Sequence, residues 1–559
     1  MTATTPTFTL TPGTSAEHVF PTLTSAQLAR VATHGRVRPV APGEVLAEAG
    51  EQAARFFVVT EGLIEVVRPV GTTEESVATF GPGQFTGEVA MLSGRRGFGR
   101  VRAVEPGEVI EVDRDHLLTL VQTDGELSEI LMRAFLLRRG QLVARGLGDV
   151  VLVGSMHCAG TLRIKEFLTR NGHPHTYLDL DRDAGVQDLL DRFRVGMADI
   201  PVAICRCTDV LRNPTNQQLA ACLGFNDAID RTQLRDLVVV GAGPAGLAAA
   251  VYGASEGLDV LVLESTAPGG QAGASSRIEN YLGFPTGISG QELAARAYNQ
   301  AEKFGAQVMV GNDAKHLTCD RKPYSIELDE GPRVPARAVI IASGAEYRRL
   351  SITNLAQFEG TGVYYAATFM EAQLCGGDEV VVVGGGNSAG QAAVFLAQTA
   401  RRVHMVVRSD GLADTMSRYL IRRIEDHPAI VLHVRTEIVG LEGDHHLERV
   451  TWRDNQSGRE ETQGIRHVFS MTGARPSTAW LQGCLALDAR GFIKTGPDLS
   501  ADDLAAAHWP LARPPHILET SLPGVFAVGD VRSGSVKRAA SAVGEGSIAI
   551  AAVHQVLHE

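Results

Sequence analysis

The alternation of apolar and polar residues predicts a β-rich front part followed by several α/β units. Short alternating strands with glycine-rich turns, such as Phe56–Val67, occupy residues 20–145, and an apolar-periodic helix lies around residues 126–142. Further along the chain, apolar strands lead into a turn and a helix at Val150–Val153, Leu237–Val240 and Val380–Val383. The pattern therefore predicts a multidomain protein.

Length and composition agree with several soluble domains. The chain has 559 residues, with 44% hydrophobic and 21% charged side chains, which is the balance of a globular protein. A chain of this length exceeds one hydrophobic core, and about three to five domains are expected. A net charge of −12 argues against general nucleic-acid binding, because phosphates attract clustered Lys and Arg. The first residues lack the pattern of a secretory signal, and no membrane span is expected.

The first dinucleotide fingerprint follows the strand Leu237–Val240. Gly241, Gly243 and Gly246 have the spacing that lets the backbone turn tightly and approach a pyrophosphate at the N-terminus of the next helix. A second strand ends in Glu264, and a carboxylate at this position suits the two hydroxyls of an unphosphorylated ribose. This unit predicts a site for FAD or NAD.

A second fingerprint follows Val380–Val383. Gly384, Gly386 and Ala389 occupy the fingerprint positions, with Asn387 and Ser388 at the start of the next helix. The following strand ends in Arg408, a cation that can pair with a 2′-phosphate, so this half favours NADPH over NADH. The second strand of one unit ends in an acid, Glu264, and that of the other in a cation, Arg408. These opposite charges suggest one bound flavin and one exchanging nicotinamide dinucleotide.

Residues 233–559 resemble the thioredoxin reductase family. The segments that carry the resemblance are Pro268–Gln271, Ile278–Pro285, Ala342–Ala345, Met471–Ala474, Gly524–Asp530 and Lys537–Ala539. The resemblance implies a homodimer and an FAD domain that is interrupted by an NADPH domain. It also implies further FAD contacts from Gly270, Gln271, Asn280, Ala345, Gly529, Asp530, Arg538 and Ala539.

The chain departs from this family in two places. The family carries a Cys-x-x-Cys pair at the start of the NADPH domain, and here Ala366 and Phe369 stand at those positions. Dithiol exchange needs two neighbouring thiols, so electrons must leave the flavin by another route, and Cys375 is expected to be a strand-entry residue. The family's additional 2′-phosphate arginines are replaced by Ser409 and Ala413. Compensation by Arg418, Arg422 or Arg423 remains open, as does the use of NADH.

Residues 148–228 resemble glutaredoxins and other thioredoxin-fold proteins. Cys158 matches the first cysteine of the redox motif, Thr161 replaces the second, and Pro201 matches a proline that is often cis. A thiolate at a helix N-terminus is stabilised by the helix dipole, which makes Cys158 the best candidate nucleophile. The alternative is a docking domain without redox activity. Cys205 and Cys207 are expected to be structural, because one such pair lacks the ligands of a zinc site, and no metal is predicted.

Residues 20–145 look like a cyclic-nucleotide-binding β-roll. Gly87 and Glu88 match the turn that holds the ribose and cyclic phosphate in that family. The phosphate-binding arginine falls at Gly97 by direct count, and a one-residue shift would place Arg96 there. Binding of a cyclic nucleotide and a role only in docking or oligomerisation both remain open. The short connection after the helix leaves no room for a DNA-reading module.

Together these patterns predict a β-roll, a thioredoxin-like α/β domain and two Rossmann-like domains. The expected domains are a β-roll (1–145), a thioredoxin-like domain (146–228), an FAD domain in two parts (229–348 and 479–559) and an NADPH domain (349–478). The expected function is transfer of electrons from NADPH through FAD to a disulfide, a thioredoxin-like protein, a quinone or oxygen. The alternative is a redox or cyclic-nucleotide sensor. Seven scattered cysteines favour a reducing compartment over a disulfide framework, and the cytoplasm is expected.

Overall fold

The computed structural model describes residues 15–559 with short gaps. The gaps are residues 52–54, 71–72, 89–90, 98, 147, 156–157, 181, 184–185, 187–195, 197–198, 206–208, 276, 330, 445 and 482. Cys207 lies outside the described residues.

The front part is a β-roll made of two antiparallel sheets, with strand orders β1-β7-β3 and β2-β6-β4-β5. Its apolar side chains alternate inward, and Phe56, Phe85 and Phe135 meet at ring-centroid distances of 5.7 to 6.1 Å. The predicted helix around residues 126–142 is confirmed as α4. The elements are α1 (Ala16–Val19), α2 (Ser25–Ala32), β1 (Arg36–Val40), β2 (Val45–Ala47), β3 (Phe56–Glu61), β4 (Ile64–Val70), β5 (Thr73–Phe80), β6 (Arg100–Ala103), β7 (Gly107–Val112), α3 (Arg114–Thr123) and α4 (Gly125–Ala144).

The second part has a four-stranded sheet in the order β11-β10-β8-β9. Strands β8 and β9 are parallel, while β10 is antiparallel to both β8 and β11. The peptide bond between Ile200 and Pro201 is cis, as the resemblance to thioredoxin-fold proteins suggests. The elements are β8 (Val150–Gly154), α5 (Ala159–Arg170), β9 (His175–Asp179), β10 (Val202–Cys205), β11 (Asp209–Arg212) and α6 (Asn216–Cys222).

The FAD domain is built on a seven-stranded sheet that both parts of the domain share. Strands β14, β13, β12, β17 and β28 run parallel, and β16 and β15 extend the sheet antiparallel to β17. The first part contains β12 (Arg235–Val240), α7 (Pro244–Ser255), β13 (Val260–Glu264), α8 (Gly270–Gly273), α9 (Gly290–Lys303), β14 (Gln307–Val310), β15 (Ala314–Thr318), β16 (Tyr324–Leu328) and β17 (Val334–Ile341). The second part contains α14 (Ala501–Ala506), β28 (Val525–Ala527), α15 (Ala539–His558) and 3₁₀ turns at Ala479–Leu481, Gly496–Asp498 and Gly529–Val531.

The NADPH domain has a parallel sheet in the order β19-β26-β20-β21-β22 and a small antiparallel sheet of β23, β24 and β25. A two-stranded connection, β18 with β27, joins it to the FAD domain. The elements are β18 (Ala345–Tyr347), α10 (Leu355–Phe358), β19 (Val363–Tyr364), α11 (Phe369–Leu374), β20 (Glu379–Val383), α12 (Asn387–Leu396), β21 (Arg402–Val406), α13 (Arg418–Glu425), β22 (Ile430–His433), β23 (Thr436–Glu442), β24 (Arg449–Asp454), β25 (Glu460–Gln463), β26 (His467–Ser470) and β27 (Ala474–Pro476).

The second part shares a continuous hydrophobic core with the FAD domain. Side chains from β8 and α5 belong to the same buried cluster as those from β12, α7 and α15. Asn226 extends the edge of the FAD sheet, because its amide pairs with both the N–H (2.9 Å) and the carbonyl (2.8 Å) of Val310. The second part is therefore fixed to the FAD domain by apolar packing as well as by polar contacts.

Two features of the FAD domain bear on the sequence expectations. Cys319 and Cys484 form a disulfide across 165 residues of sequence, so the expectation of scattered, unpaired cysteines is wrong for this pair. Sequence spacing gave no sign of it, because the pair joins the two separated parts of one domain. Among the described residues, one helix, α15, is long and apolar enough to cross a membrane by length and composition alone. It packs along α7, where Gly546 allows close approach to the carbonyl of Ala245.

Candidate functional site

The FAD domain presents a glycine-lined cradle at the carboxyl end of β12. Gly241 has a φ of +104°, and a Cβ built there would lie 2.4 Å from the carbonyl oxygen of Ala342. A Cβ on Gly246 would lie 1.9 Å from the carbonyl oxygen of Gly241. Around Gly243 the nearest atom to such a Cβ is the Cα of Gly270, at 4.0 Å. The first and third glycines thus permit the tight turn, and the second leaves open space at the start of α7.

Glu264 lies at the end of the next strand, buried beside this cradle. Its carboxylate accepts hydrogen bonds from the backbone N–H groups of Ala242 (2.9 Å), Thr266 (2.9 Å) and Ala267 (3.1 Å). Burial raises the pKa of Glu264, while these N–H groups and Arg170 act in the opposite direction. The arrangement places a carboxylate where the sequence predicts a ribose partner.

The predicted flavin contacts Gly270 and Gly529 lie beside the same cradle, at the start of α7. The side-chain amide of Gln271 donates to the carbonyl of Ala345, and the N–H of Gly529 donates to Glu545 at 2.6 Å. Burial raises the pKa of Asp530, and Lys537 opposes that shift. The remaining predicted contacts are Asn280 and Arg538, which are exposed, and Ala539, which begins α15. Glu545 has no motif of its own, and sequence reasoning missed it.

The NADPH domain repeats the cradle at the carboxyl end of β20. Gly384 has a φ of +140°, and a Cβ there would lie 2.5 Å from the carbonyl oxygen of Met471. At Gly386 the nearest atom to a built Cβ is 4.0 Å away, so this glycine again borders open space. The amide oxygen of Asn387 accepts from the N–H of Ser417 at 2.8 Å, which fixes the start of α12.

Arg408, the predicted 2′-phosphate partner, is exposed just beyond β21. Arg435 lies on the neighbouring loop, because its N–H donates to the carbonyl of Ser409 at 3.0 Å. Its φ of +52° is uncommon for a residue other than glycine. A guanidinium of Arg435 lies 3.6 Å from Asp410. Sequence reasoning missed Arg435, since it follows a different strand and belongs to no motif.

The three arginines considered as replacements all lie on α13, and one of them has another partner. Arg423 forms a 2.8 Å ion pair with Glu279 of the FAD domain. Arg418 and Arg422 are exposed on the same helix. Arg435, by contrast, is held next to Arg408 by its backbone hydrogen bond to Ser409.

The two nucleotide-binding loops face each other across the domain boundary. Ser388, at the start of α12, lies close enough to Tyr347 to interact with its phenol, which also interacts with the charge of Asp530. Burial raises the pKa of Tyr347. With the Arg423–Glu279 pair, these contacts bring the NADPH-domain loop against the predicted flavin end of the FAD domain.

Cys158 is the N-cap residue of α5, and it is a half-buried free thiol. A Cβ built on Gly160 would lie 3.0 Å from the ring of cis-Pro201, so the proline packs against the start of this helix. Thr161, in the first turn of α5, is fully buried. The guanidinium of Arg163 lies close enough to interact with Cys158, and burial lowers the pKa of this arginine. The structure thus places the predicted nucleophile, the proline and a cation together.

The helix that begins at Cys158 abuts the NADPH domain. A Cβ built on Gly360 would lie 2.9 Å from the Cβ of Ala159. Burial raises the pKa of Glu371, and the carboxylate of Glu166 on α5 contributes to the shift. Cys375 lies at the end of the same segment, buried, and burial raises its pKa to about 11, which fits a structural thiol. The start of α5 therefore lies beside residues 360–371, the stretch that contains Ala366 and Phe369.

The predicted nucleotide loop of the β-roll is engaged by other parts of the chain. Glu88 lies 3.4 Å from Arg139 on α4. Arg96 donates to Asp227 at 2.8 Å through Nε, and Asp227 lies in the connection to the FAD domain. The enclosed space beside these residues is about 20 Å³, which is room for one water molecule. Within the described residues there is also no cluster of His, Cys, Asp and Glu that suits a metal.

The chain is similar to thioredoxin reductases over its second half. Residues 235–546 match the family described as pyridine nucleotide-disulphide oxidoreductase, and residues 37–124 match the cyclic nucleotide-binding domain. Thioredoxin reductase of Bacillus subtilis is 32% identical over 327 residues, which are 58% of this chain and 96% of the relative. NADPH-dependent thioredoxin reductase 3 of Arabidopsis thaliana is 30% identical over 331 residues, 58% of each chain.

Solved structures agree with this likeness. A Lactococcus lactis thioredoxin reductase in the FR conformation matches with a TM-score of 0.52 and 26% identity, covering 58% of this chain and 99% of that one. The T. acidophilum thioredoxin reductase matches with a TM-score of 0.51 and 29% identity, again over 58% and 99%. The chain belongs to the pyridine nucleotide-disulphide oxidoreductase family and is an NAD(P)H-dependent flavoprotein oxidoreductase, with an N-terminal cyclic nucleotide-binding β-roll.

Proposed function

We propose that this protein oxidises NADPH and reduces a disulfide acceptor through Cys158 in the thioredoxin-like domain. The net reaction is NADPH + H⁺ + RSSR → NADP⁺ + 2 RSH. The observation that carries the proposal is the contact between Ala159, next to Cys158, and Gly360 of the NADPH domain. The chain therefore presents its free thiol beside the segment that lacks the family's cysteine pair.

The described residues fit FAD in the first cradle. The open space at Gly243, the carboxylate of Glu264 and the half-buried carboxylate of Asp530 suit a pyrophosphate, a ribose and a ribityl chain in turn. FAD bound there would supply two-electron redox chemistry between the nicotinamide and the acceptor. Gln271 and Ala345 would border the flavin ring, and Glu545 would hold the backbone at Gly529.

NADPH is the proposed reductant because two guanidinium groups border the adenosine end of the second cradle. Arg408 follows β21, and Arg435 is brought alongside it by the backbone hydrogen bond to Ser409. Guanidinium groups bind phosphate through charge-assisted hydrogen bonds. Gly386 and Asn387 would border the pyrophosphate at the start of α12.

Cys158 would act as the nucleophile toward the acceptor. Its thiolate would attack one sulfur of RSSR, forming a Cys158–S–S–R bond and releasing one RS⁻, which takes up a proton. The two electrons and the proton from NADPH would then split that mixed disulfide into the Cys158 thiolate and a second RSH. The sulfur of Cys158 lies at the N-terminal end of α5, close to the guanidinium of Arg163.

A second candidate is a non-disulfide acceptor, such as a quinone or oxygen, because the chain has no Cys-x-x-Cys pair. A sensor role is favoured by the position of Glu88 and Arg96, which line a small cavity together with Asp149 and His173 of the thioredoxin-like domain. A cyclic nucleotide that bound with different affinities to two arrangements of these domains would shift the protein from one arrangement to the other.

We also propose a cytoplasmic homodimer with a thioredoxin-like protein or small disulfide as partner. Relatives named thioredoxin reductase support the partner class. Exposed apolar side chains on and next to α15, Ile548 (52% exposed) and Val536 (57%), offer a surface for a second copy. Light scattering after size exclusion tests the dimer, and Ile548→Glu would yield a monomer.

The test of the reaction is anaerobic reoxidation of the NADPH-reduced holoenzyme. A small aromatic disulfide or oxidised thioredoxin would be added to wild type, Cys158→Ser and Cys222→Ser. Cys222 is a half-buried cysteine in the same domain and serves as the matched control. Reoxidation that is lost only in Cys158→Ser supports the proposal. Equal rates in all three proteins contradict it, and fast reoxidation only by a quinone or oxygen favours the second candidate.

A further inference from the structure

Arg95 of the β-roll is inserted into the junction of three domains. Its side chain is 7% exposed, and its guanidinium carbon lies 4.2 Å from the ring centroid of Phe225. The same guanidinium donates to the hydroxyl of Tyr298, on α9 of the FAD domain, at 2.8 Å. Planar stacking and directed hydrogen bonds together are a property of arginine that lysine does not share.

This arginine also reaches the far end of the helix that begins at Cys158. Nη1 of Arg95 lies 3.5 Å from the carbonyl oxygen of Asn171, the residue that caps α5. The side-chain amide of Asn171 in turn donates to the carbonyl of Thr266 in the FAD domain at 3.0 Å. Arg170 donates to the carbonyl of Gly270 at 2.9 Å. The C-terminal end of α5 is thus held between the β-roll and the FAD domain.

Other residues of the β-roll also contact the neighbouring domains. Arg96 pairs with Asp227, and a Cβ built on Gly94 would lie 3.1 Å from the Cβ of Ala228. Gln122 on α3 donates to the carbonyl of Lys303, the last residue of α9, at 2.9 Å. In the loop at 87–97, called here the phosphate loop, Gly94, Arg95 and Arg96 therefore contact neighbouring domains.

We propose that the phosphate loop is an intramolecular docking surface that clamps the C-terminal end of α5 and so positions Cys158 beside the NADPH domain. The positioning of Cys158 rests on the function proposed above, while the clamp itself does not. A helix of 12 residues is about 18 Å long and stiff, so fixing its end at Asn171 restricts where its start can lie. Arg95 is a positioning residue in this arrangement.

The experiment compares hydrogen–deuterium exchange of the FAD-loaded full chain in wild type, Arg95→Ala and Arg100→Ala. Arg100 is the matched control, because it pairs with Glu48 (2.8 Å) and Glu74 (2.5 Å) inside the β-roll. We expect Arg95→Ala to raise exchange of residues 164–172 and 295–303 about tenfold, with Arg100→Ala unchanged. Identical exchange in Arg95→Ala and Arg100→Ala overturns the clamp.

A second variant, Tyr298→Phe, keeps the β-roll intact and removes only the hydroxyl that accepts from Arg95. It should raise exchange of the same two segments about threefold, and unchanged exchange there overturns the role of this contact.

Reoxidation of the reduced holoenzyme by the aromatic disulfide is then measured on Arg95→Ala and Cys158→Ser. A slower rate in both supports positioning of Cys158. A normal rate in Cys158→Ser rejects the proposed function and leaves the clamp to be judged by exchange alone. A normal rate in Arg95→Ala alone overturns the proposal that Arg95 positions Cys158.

Discussion

The guanidinium of Arg423, in the NADPH domain, forms a 2.8 Å ion pair with the carboxylate of Glu279, in the FAD domain. Both side chains are partly exposed, at 44% and 32%. An ion pair of this exposure contributes at most about 1 kcal/mol to the free energy of unfolding. Its main role is therefore to orient one domain on the other rather than to stabilise the fold.

Replacing Arg423 with Ala should slow flavin reduction by NADPH up to about fivefold, because the orientation of the two loops loses up to about 1 kcal/mol. Stopped-flow absorbance of the flavin measures this rate, and the melting temperature should stay within about 1 °C. The control is Arg449→Ala, which breaks the pair with Glu442 (2.7 Å) inside the small antiparallel sheet. An equal slowing in Arg449→Ala would contradict the orienting role.

Arg408→Gln and Arg435→Gln should each raise the KM for NADPH about tenfold and leave the KM for NADH unchanged. The reason is the loss of one charge-assisted contact to the 2′-phosphate in each variant. Steady-state kinetics with both nucleotides measures the ratio. The control is Arg401→Gln, because Arg401 is an exposed arginine just before β21 that pairs with Glu379 of β20. If Arg435→Gln affects NADPH and NADH equally, Arg435 does not bind the phosphate.

Burial raises the pKa of Glu302, on α9, to about 7, while Arg95, Tyr298 and Arg114 oppose the shift. An acid whose pKa is raised in the folded state binds protons more readily there, so stability falls as the pH rises from about 4.5 to 7. Glu302→Gln should remove this loss, at most about 3 kcal/mol. Its melting temperature relative to wild type should therefore rise between pH 5 and pH 8, as followed by differential scanning fluorimetry. A difference that stays constant across this range would show that Glu302 does not titrate there.

Cyclic AMP and cyclic GMP should bind wild type weakly, because the arginine nearest the predicted phosphate position is paired with Asp227. Asp227→Ala frees Arg96 and should tighten binding at least tenfold, as measured by calorimetry. A ligand at 100 times its Kd adds about 2.7 kcal/mol of stability, so thermal shift provides a second readout. Tight binding to wild type that Asp227→Ala does not change would mean that Arg96 takes no part.

Local patterns predicted the elements and cradles that depend on nearby residues. Gly241 and Gly246 could be assigned from spacing, because the turn they permit involves neighbours within a few residues and one returning strand. Arg435 and Arg95 could not, since their partners lie on other strands or in other domains and no short motif surrounds them. Arg96 was predicted as a phosphate partner, and the structure pairs it with Asp227 from a connection 131 residues away. Contacts between domains follow from packing that no single segment encodes.

The disulfide between Cys319 and Cys484 ties together the two stretches of chain that flank the NADPH domain. Residues 319–484, which include the whole inserted domain, are thus closed into a covalent ring by one disulfide bond. The order of biosynthesis follows, because the bond cannot form until residue 484 has left the ribosome, when the whole inserted domain has already been synthesised. A protease that cuts once within the ring produces two pieces that stay joined by the disulfide. They migrate as one chain in denaturing electrophoresis without reductant, and a reductant separates them.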